Sequence, residues 1–354
     1  MKKTLHKIII GVWGQFGDGG KIADGQAVRT TIITNELRRR YGGDAVKTVN
    51  TNAWRKRPVR FLLTSLGLLR KSDVFIIAPA DNGFKVFVPI LDFFNRFFKT
   101  KILYVVIGGF LPGLLKEKPK YIKMVNRFAG SFVQTENIKK DLAELGVEKL
   151  HILSNPKRLN TLKEEDVRVV EDEKIKVCVF SRIYADKGVE DAIEAVKLAN
   201  EKLGGKYITL DMYGLVPEFY KERLNELLQQ NEGLVKYNGI IDYDKTVETL
   251  SNYFVMLFPT YYHGEGFPGN VIDAYNSALP IIASDWLYNS DVVLNNKTGL
   301  LVPVKSPVAI CDALLKLYRD RNLRQTFALN SLKEAPKYAP DKVLAGFYLE
   351  IEVI

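Results

Sequence analysis

The chain has 354 residues, which is more than a single hydrophobic core usually supports and therefore favours two domains. Its 47 % hydrophobic and 26 % charged residues are typical of a globular protein, and the absence of any apolar run of roughly 18 residues excludes an obvious membrane span. The formal net charge is +10. Cys178 and Cys311 each lie among apolar neighbours, so we interpret them as reduced core residues of a cytoplasmic protein, without a disulfide or metal role.

The charge is divided unevenly along the chain. Residues 1–160 carry 29 Lys and Arg against 12 Asp and Glu, whereas the remainder carries 22 against 29. A basic front half suits a partner with clustered negative charge, such as an anionic membrane, a polyphosphate-bearing lipid or a nucleic acid. The sign of the charge does not choose among these partners.

Apolar and helix-like runs alternate through the front half, which predicts a doubly wound α/β domain with a mostly parallel sheet. The first residues, MKKTLHKIIIGVWG, resemble a signal peptide, but Gly11 and Gly14 interrupt the apolar run and we interpret it as the first strand. The predicted strand and helix pairs are 7–12 with 27–40, 45–51 with 59–70, 73–78 with 84–98, 102–107 with 120–128, and 132–134 with 138–145.

A long glycine-rich loop, GVWGQFGDGGKIADGQAVRT, follows the first predicted strand. It invites comparison with the dinucleotide-binding fingerprint. That interpretation is disfavoured because the loop is too long and the second strand ends in Asn50 and Asn52, where a ribose-binding acid is expected. The loop is then either a ligand-binding loop of another kind or a glycine-rich surface loop.

Two segments carry most of the basic character, Trp54 to Lys71 and Pro89 to Lys101, and a third, KEKPKYIK, follows at 116–123. The second segment contains four phenylalanines at spacings that give a helix a wide apolar face. Most of that face is expected in the core. If part of it stays exposed beside Arg and Lys, the surface suits peripheral membrane attachment; the alternative is an ordinary solvated basic face. The phenylalanines are Phe93, Phe94, Phe97 and Phe98.

A charged segment with few aromatic residues, 153–176, reads as an interdomain connection. A second α/β pattern follows it, with a strand over 175–183 and a helix from Gly188. Arg182 ends that strand and Lys187 begins the helix, and ligands in such sheets bind at the carboxyl ends of strands. The alternative is a loop of solvated cations. Further strands are predicted over 207–213 and 235–238, with helices over 217–230 and 245–250.

The triplet Asp242-Tyr243-Asp244 matches the short metal-binding motif D-x-D. Because it precedes a predicted helix, we interpret Asp244 as a helix N-cap. No His, Cys and Asp cluster elsewhere has the spacing of metal ligands. We therefore expect no metal site.

The most informative stretch is YFVMLFPTYYHGEGFPGNVIDAYNSALPIIASD, residues 253–285. It predicts a buried strand, a loop, a helix beginning near Gly269 with Asp273 on its first turn, and a second buried strand. The loop holds His263, Glu265 and Asn270 beside glycines, which let the backbone approach a ligand, and the helix N-terminus offers N–H groups to an anion. The alternative is that both acids only serve the helix start.

These residues resemble a known family. Glu265-Gly-Phe-Pro, with Asp273-Ala-Tyr, Leu279-Pro and Ala283-Ser-Asp after it, resembles the E-x7-E region of the group-one retaining, nucleotide-sugar-dependent glycosyltransferases of the GT-B fold. Arg182 and Lys187-Gly188 resemble the Arg-x4-Lys-Gly element of the same family. The second acid is Asp273 here instead of Glu, which is one methylene longer.

The resemblance implies two Rossmann-like doubly wound domains facing across a cleft. Residues 1–160 would form the acceptor-side domain and 161–338 the nucleotide-sugar-binding domain, with a C-terminal helix over 339–354 that packs back on the first domain. The implied activity is transfer of a hexose from a nucleotide-diphosphate sugar to a glycan or lipid-linked acceptor, as in bacterial surface polysaccharide synthesis. The implied location is the cytoplasm or the inner face of the membrane.

The resemblance also implies roles for individual residues. Arg182 and Lys187 would clamp the diphosphate, Glu265 would bind sugar hydroxyls and Asp273 the ribose. No enzymic nucleophile is evident, so retention implies front-face attack in which a donor phosphate oxygen takes the acceptor proton, without a metal or other cofactor. Further donor-side candidates are Gly266, Phe267, Pro268, Gly269, Asn270, Gly214, Gly239 and His263, and those of the first domain are Gly19, Gly20, Gly25, Gln26, Gly108 and Gly109.

Many members of the family have a histidine of the first domain near the reacting sugar. Here the corresponding strand end reads VIGGFLPG, and His6 and His151 lie within predicted strands. We therefore expect close backbone approach at Gly108 and Gly109 in place of that side chain.

Two other classes of function remain open. A GT-B nucleotide-sugar epimerase would need acid and base carboxylates in the first domain, and none is identifiable. A non-catalytic nucleotide-sugar-binding or nucleic-acid-binding protein would not need the set of Arg182, Lys187 and Glu265, and no RNA-recognition signature is present, so no nucleic-acid partner is expected.

Overall fold

A computed structural model describes residues 8–16, 25–52, 54 and 56–353. It divides into two compact units. Unit 1 comprises Met1–Lys157 with Pro340–Ile354, and unit 2 comprises Arg158–Ala339. Each unit is built around one six-stranded parallel sheet.

The strands are β1 (Ile10–Gly14), β2 (Val46–Asn50), β3 (Val74–Ala78), β4 (Lys101–Val105), β5 (Gly130–Val133), β6 (Leu150–Ile152), β7 (Ile175–Phe180), β8 (Ile208–Tyr213), β9 (Val235–Tyr237), β10 (Met256–Phe258), β11 (Ile281–Ser284) and β12 (Gly299–Val302). The α-helices are α1 (Gly25–Tyr41), α2 (Pro58–Lys71), α3 (Asp81–Phe98), α4 (Leu111–Glu117), α5 (Lys120–Val125), α6 (Glu136–Glu144), α7 (Val189–Leu203), α8 (Lys221–Gln230), α9 (Thr246–Leu250), α10 (Gly269–Asn276), α11 (Pro307–Arg319), α12 (Arg321–Glu334), α13 (Pro340–Val343) and α14 (Ala345–Glu352).

The sheet of unit 1 has the strand order β2-β1-β3-β4-β5-β6. Its central strands are buried on both faces, which is why they read as continuous apolar runs in the sequence. Arg29 of α1 is 3 % exposed and donates to the carbonyl oxygens of Val106 at 2.6 Å and Leu153 at 2.5 Å. These bonds join the chain just beyond β4 to the chain just beyond β6, and burial lowers the pKa of Arg29 to about 9.

The sheet of unit 2 has the order β12-β11-β10-β7-β8-β9. The chain starts at the centre with β7, runs outward to β9, and returns to the other side of β7 with β10. Met256 of β10 is paired with Cys178 of β7. The strand order therefore reverses between β7 and β10, and crevices for ligands form at such a switch point, outside the carboxyl ends of the strands.

The last helix belongs to unit 1. Phe347 of α14 is 1 % exposed, and its ring centroid lies 4.7 Å from that of Phe132 in an edge-on arrangement. At the rim of the same contact, Arg40 forms an ion pair of 2.8 Å with Glu352. An apolar anchor with a charged rim fixes this helix on the first sheet.

The two parallel α/β units agree with the fold class that the sequence predicts, but several predicted elements were wrong in their limits. The first strand is Ile10–Gly14 and not 7–12, and the helix predicted over 217–230 begins with a 3-10 turn, Glu218–Tyr220. Helix α4 was missed because Pro112 and Gly113 read as breakers, whereas proline is favoured in the first turn of a helix.

Both cysteines are buried and free of a disulfide, as predicted, and burial raises the pKa of the Cys178 thiol. Among the helices that the structure describes, none has the length and apolar character to cross a membrane.

Replacing Phe347 by Ala should remove the anchor of α14. Loss of a fully buried phenylalanine costs about 3–5 kcal/mol, so the free energy of unfolding of unit 1, measured by urea denaturation, should fall by about that amount. Leu349→Ala on the same helix is the matched control, because Leu349 is 65 % exposed and its loss should change the stability little. Equal effects of the two substitutions would contradict the packing of α14.

Candidate active site

Three residues predicted from the sequence converge at the switch point of unit 2. Arg182 and Lys187 follow β7, and Glu265 follows β10, its neighbour in the sheet. Because carboxyl ends of parallel strands meet at one edge of a sheet, both loops lie at the place where α/β proteins bind ligands.

A buried ion pair joins the two loops. Lys187 Nζ lies 2.5 Å from Glu265 Oε2, and the two residues are only 7 % and 9 % exposed. Thr260, two residues after the end of β10, donates a hydrogen bond of 3.0 Å from its hydroxyl to the same Oε2. Burying two charges is costly, and good geometry with additional hydrogen bonds is needed to offset that cost.

Arg182 lies beside the pair and faces aromatic rings. Its guanidinium carbon is 5.4 Å from the ring centroid of Tyr184 and 5.5 Å from that of Tyr262, and Lys187 Nζ is 4.7 Å from the Tyr262 ring. Burial raises the pKa of Tyr184 to about 12, against the opposing effect of Arg182, so the phenol stays neutral at pH 7. Within the described part of the chain, no carboxylate lies at ion-pair distance from Arg182.

Glycine allows the loops after β7 and β10 to touch. Gly188 has φ +70°, and a Cβ at this position would lie 2.1 Å from the carbonyl oxygen of Pro259. Beside it, the Tyr261 N–H donates to the Asp186 carbonyl at 2.9 Å. A side chain at position 188 would separate Lys187 from Glu265.

A pair of glycines, Gly214 and Gly239, joins the loops after β8 and β9. Gly214 has φ +140°, and a Cβ there would lie 1.7 Å from the Ser181 carbonyl oxygen. Its N–H donates to the Gly239 carbonyl oxygen at 2.8 Å. The apolar residues that follow these glycines, Leu215 and Ile240, are 38 % and 66 % exposed.

The segment between Glu265 and α10 is ordered by packing. Phe267 is 7 % exposed, with its ring centroid 5.4 Å from that of Tyr338. Pro268 is the N-cap residue of α10 and supplies no side-chain cap, so the first N–H groups of the helix are not satisfied by a capping side chain. Asn270 donates from Nδ2 to the Phe180 carbonyl at 2.6 Å, which fixes the start of α10 at the end of β7.

Comparison with known proteins identifies unit 2. Residues 160–334 match the family model of the glycosyl transferases group 1. This half of the chain belongs to the group 1 glycosyltransferases. The family predicted from the sequence is confirmed, and the matched residues include the whole switch-point site.

Two curated relatives are glycosyltransferases. An uncharacterized glycosyltransferase of Methanocaldococcus jannaschii is 26 % identical over 244 residues, which are 66 % of this chain and 58 % of that protein. The capsular polysaccharide biosynthesis glycosyltransferase CapM of Staphylococcus aureus is 30 % identical over 176 residues, 49 % of this chain and 44 % of CapM. This chain thus spans about half the length of the curated relatives it matches.

One similar solved structure aligns with nearly the whole chain. HepE of Anabaena, crystallised in complex with UDP and glucose, is similar with a TM-score of 0.74 and 14 % sequence identity, over 98 % of this chain and 100 % of HepE. At that identity the likeness concerns the fold alone. The GT-B fold expected from the sequence is thereby confirmed.

The structure places Asp273 differently from the sequence prediction. Asp273 is the fifth residue of α10 and lies on its second turn, not its first, and it is 2 % exposed. It is therefore not a solvated acid favoured by the helix dipole. His263 is exposed, and its ring lies 5.5 Å from that of Trp286.

The prediction that Asp244 caps a helix was wrong. The N-cap residue of the 3-10 turn Tyr243–Lys245 is Asp242, that of α9 is Lys245, and neither makes a side-chain cap. A group of three His, Cys, Asp or Glu side chains suited to a metal ion is not found among the described residues.

Within the described ranges, the predicted site residues of unit 1 form fewer contacts with one another than those of unit 2. Gly19 and Gly20 lie outside the described residues. Gly25 begins α1, and Gln26 donates from Nε2 to the Ala78 carbonyl at the end of β3, 3.0 Å away. Gly108 has φ +76° and donates its N–H to Gln134 Oε1 at 3.0 Å, and Gly109 follows it in the same bend.

Sequence reasoning missed Thr260, Tyr184 and Tyr262 as members of this group 1 site. A signal existed for Thr260, because it is the first polar residue after a buried strand and such positions face the ligand edge of the sheet. The two tyrosines had none, since their contact with Arg182 depends on the fold of two separate loops.

The glycine contact between the two loops can be tested by a matched pair of substitutions. Gly204→Ala, at the other end of α7, introduces a side chain at φ +74° with no atom within 4 Å, so it should cost only the strain of the left-handed backbone, about 1–2 kcal/mol. Gly188→Ala adds a clash with backbone and should cost about 3–5 kcal/mol. Urea denaturation gives both values; equal values would show that the loops do not need to touch.

Proposed function

We propose that this protein is a retaining hexosyltransferase that moves a sugar from a nucleotide-diphosphate sugar to a glycan or lipid-linked acceptor in surface polysaccharide synthesis. The observation that carries the proposal is the convergence of Arg182 with the Lys187–Glu265 pair at the switch point of unit 2. Cations suit a leaving diphosphate, and a carboxylate oxygen suits sugar hydroxyls.

Arg182 and Lys187 have different roles in the proposed site. Arg182 has no carboxylate at ion-pair distance among the described residues, so its fork of N–H groups is available for the diphosphate. Lys187 is already engaged by Glu265 at 2.5 Å and orients it, while adding positive potential beside the diphosphate. Fixed charge of this kind stabilises the negative charge that grows on the diphosphate as the sugar leaves.

The state of Glu265 supports retention without a covalent enzyme intermediate. One of its oxygens already accepts hydrogen bonds from Lys187 and Thr260, which occupy its lone pairs and weaken it as a nucleophile. In the proposed step, the bond from the anomeric carbon to the phosphate oxygen breaks with its electron pair passing to the diphosphate. The acceptor oxygen bonds to the same face of that carbon, and its proton passes to a diphosphate oxygen.

UDP is the first nucleotide to consider, because HepE binds UDP. We place the base and ribose near the joined loops of Gly214 and Gly239, where Leu215 and Ile240 offer exposed apolar contact. Asp273 is assigned to the ribose by its position in the group 1 signature. The reaction as proposed uses no metal, since cationic side chains carry the stabilisation of the diphosphate.

Arg182→Ala should lower the turnover of sugar transfer by orders of magnitude, because it removes transition-state charge stabilisation. Transfer from radiolabelled UDP-sugars to lipid-linked oligosaccharide acceptors measures this. Arg223→Ala is the control, because Arg223 is also in unit 2 and its ion pair with Glu190 lies at the surface. The circular dichroism spectra of both variants should match that of the wild-type protein.

Several results would contradict the proposal. Near-normal transfer by Arg182→Ala would remove this residue from the mechanism. A product with the opposite anomeric configuration to the donor, determined by NMR, would exclude retention. An epimerised sugar formed from the donor alone would favour the nucleotide-sugar epimerase, and tight binding without any turnover would favour the non-catalytic protein.

We further propose that unit 1 contacts an anionic membrane through α2 and α3. Each helix exposes two apolar residues four positions apart, and so on one helix face: Val59 and Leu63 are 70 % and 66 % exposed, and Phe93 and Phe97 are 53 % and 70 % exposed. The two helices pack together through Phe61 and Phe87, whose ring centroids lie 5.3 Å apart.

The exposed cations on these helices and at their ends include Arg57, Arg60, Arg96 and Lys99. Apolar side chains flanked by cations favour attachment to anionic lipid.

The double substitution Phe93→Ser with Phe97→Ser should weaken sedimentation with vesicles of phosphatidylglycerol and phosphatidylcholine about tenfold or more, since each buried phenylalanine contributes about 1.5–3 kcal/mol. Val308→Ser is the control, because Val308 is 56 % exposed but lies on α11 of unit 2. Wild-type protein that stays in the supernatant, or a double variant that sediments equally, would contradict the membrane contact.

A further inference from the structure

Thr260 lies at the centre of a buried chain of polar groups. It is fully buried, and its hydroxyl lies 3.0 Å from Glu265 Oε2. On its other side, the Ser284 hydroxyl donates to the Thr260 carbonyl. Asn289 donates from Nδ2 to the Ser284 carbonyl at 3.0 Å. The chain therefore runs from the carboxyl end of β11 to Glu265 without reaching solvent, since Ser284 and Asn289 are 1 % and 0 % exposed.

The same hydroxyl also meets the loop that carries Lys187. Thr260 Oγ1 accepts from the Tyr262 N–H at 3.3 Å and lies 3.3 Å from the Asp186 carbonyl. A hydroxyl has one proton to donate. The shorter distance and the charged acceptor favour donation to Glu265, because hydrogen bonds to ionised groups are the stronger ones.

This arrangement distinguishes the two oxygens of Glu265. Oε2 receives hydrogen bonds from both Lys187 and Thr260, whereas Oε1 has no partner among the residues that the structure describes. Two donors on one oxygen fix the plane of the carboxylate. Lys187 alone would not, because an ammonium is a point charge on a flexible stem and permits rotation about the ion pair.

We propose that Thr260 is the positioning residue that directs Oε1 of Glu265 toward the hydroxyls of the donor sugar. This rests on the proposed function, and it adds that recognition of the sugar, as distinct from the nucleotide, depends on the Thr260 hydroxyl. Binding of the nucleoside diphosphate does not depend on it, since the Thr260 hydroxyl bonds to neither Arg182 nor Lys187.

The test compares Thr260→Val with the wild-type protein. Valine keeps the branched shape and removes the hydroxyl. The ratio of the Kd for UDP to the Kd for UDP-glucose, from isothermal titration calorimetry, should fall about 10- to 100-fold, the worth of a hydrogen bond to a charged group. The Kd for UDP itself should stay within about twofold, and kcat/KM for transfer should fall with the ratio.

Two further variants separate positioning from stability. Thr260→Ser keeps the hydroxyl and should restore most of the ratio. Thr298→Val is the matched control, because Thr298 is equally buried and its hydroxyl lies 3.0 Å from that of Tyr275, away from Glu265. It should lower the melting temperature to a similar extent as Thr260→Val without changing the ratio.

An unchanged ratio in Thr260→Val, or an equal loss in Thr298→Val, would overturn the inference. So would a Thr260→Val protein whose affinity for UDP falls together with its affinity for UDP-glucose. Failure of the proposed function looks different: wild-type protein would bind UDP-glucose more tightly than UDP yet transfer no sugar, and the ratio would still report on Thr260.

Discussion

The ion pair between Lys187 and Glu265 is the interaction on which the site of unit 2 depends. It joins loops that are 78 residues apart in sequence and lies almost entirely out of water. A buried pair of this kind is a poor source of stability, because the cost of desolvation is comparable to the attraction. Its presence is understandable if both charges are needed where they are, next to a third charge, Arg182, that the described residues leave without a carboxylate.

Strand order explains why these loops meet. In unit 2 the chain places β10 beside β7, so the two loops leave neighbouring strands at the same edge. Neighbouring strands alone would leave the backbones of these two loops separated by the width of a side chain. Gly188 closes that gap, at a position where a Cβ would overlap the carbonyl oxygen of Pro259 in the neighbouring loop. The close approach that makes the ion pair possible is thus a property of the backbone, and the charged side chains complete it.

Much of this could be predicted from the sequence. Alternating apolar runs and helix-like runs gave both parallel α/β layers, because buried parallel strands leave a strong local signal. Arg182, Lys187 and Glu265 were predicted from the resemblance of their motifs to the family and from their positions at or beyond the carboxyl ends of predicted strands. Strand ends were less accurate: the first strand was predicted over 7–12 and is Ile10–Gly14, because Gly11 and Gly14 interrupt the apolar run although both are paired in the sheet.

What the sequence did not reveal depends on contacts between distant segments. Asp273 was placed on the first turn of α10 although the predicted start near Gly269 was right; it is the fifth residue from that start and lies on the second turn. Asp244 looked like a cap from its type and position, yet the N-cap residue of the turn is Asp242, and it makes no side-chain cap. Thr260 was overlooked because a single threonine has no periodicity, and its importance lies in an atom 3.0 Å away on a side chain five residues further along.

The family match has nearly the same boundaries as unit 2. The group 1 model covers residues 160–334, and unit 2 covers 158–339, so the shared pattern coincides with the unit that holds the cation and carboxylate set. Unit 1 lies outside that match, and the front part of the chain, residues 1–160, carries 29 basic against 12 acidic residues. On the proposed function, donor chemistry is common to the family and fixed in unit 2, while the acceptor varies between members. The exposed phenylalanines and arginines of α2 and α3 are then the features of this chain that should be followed to identify its acceptor.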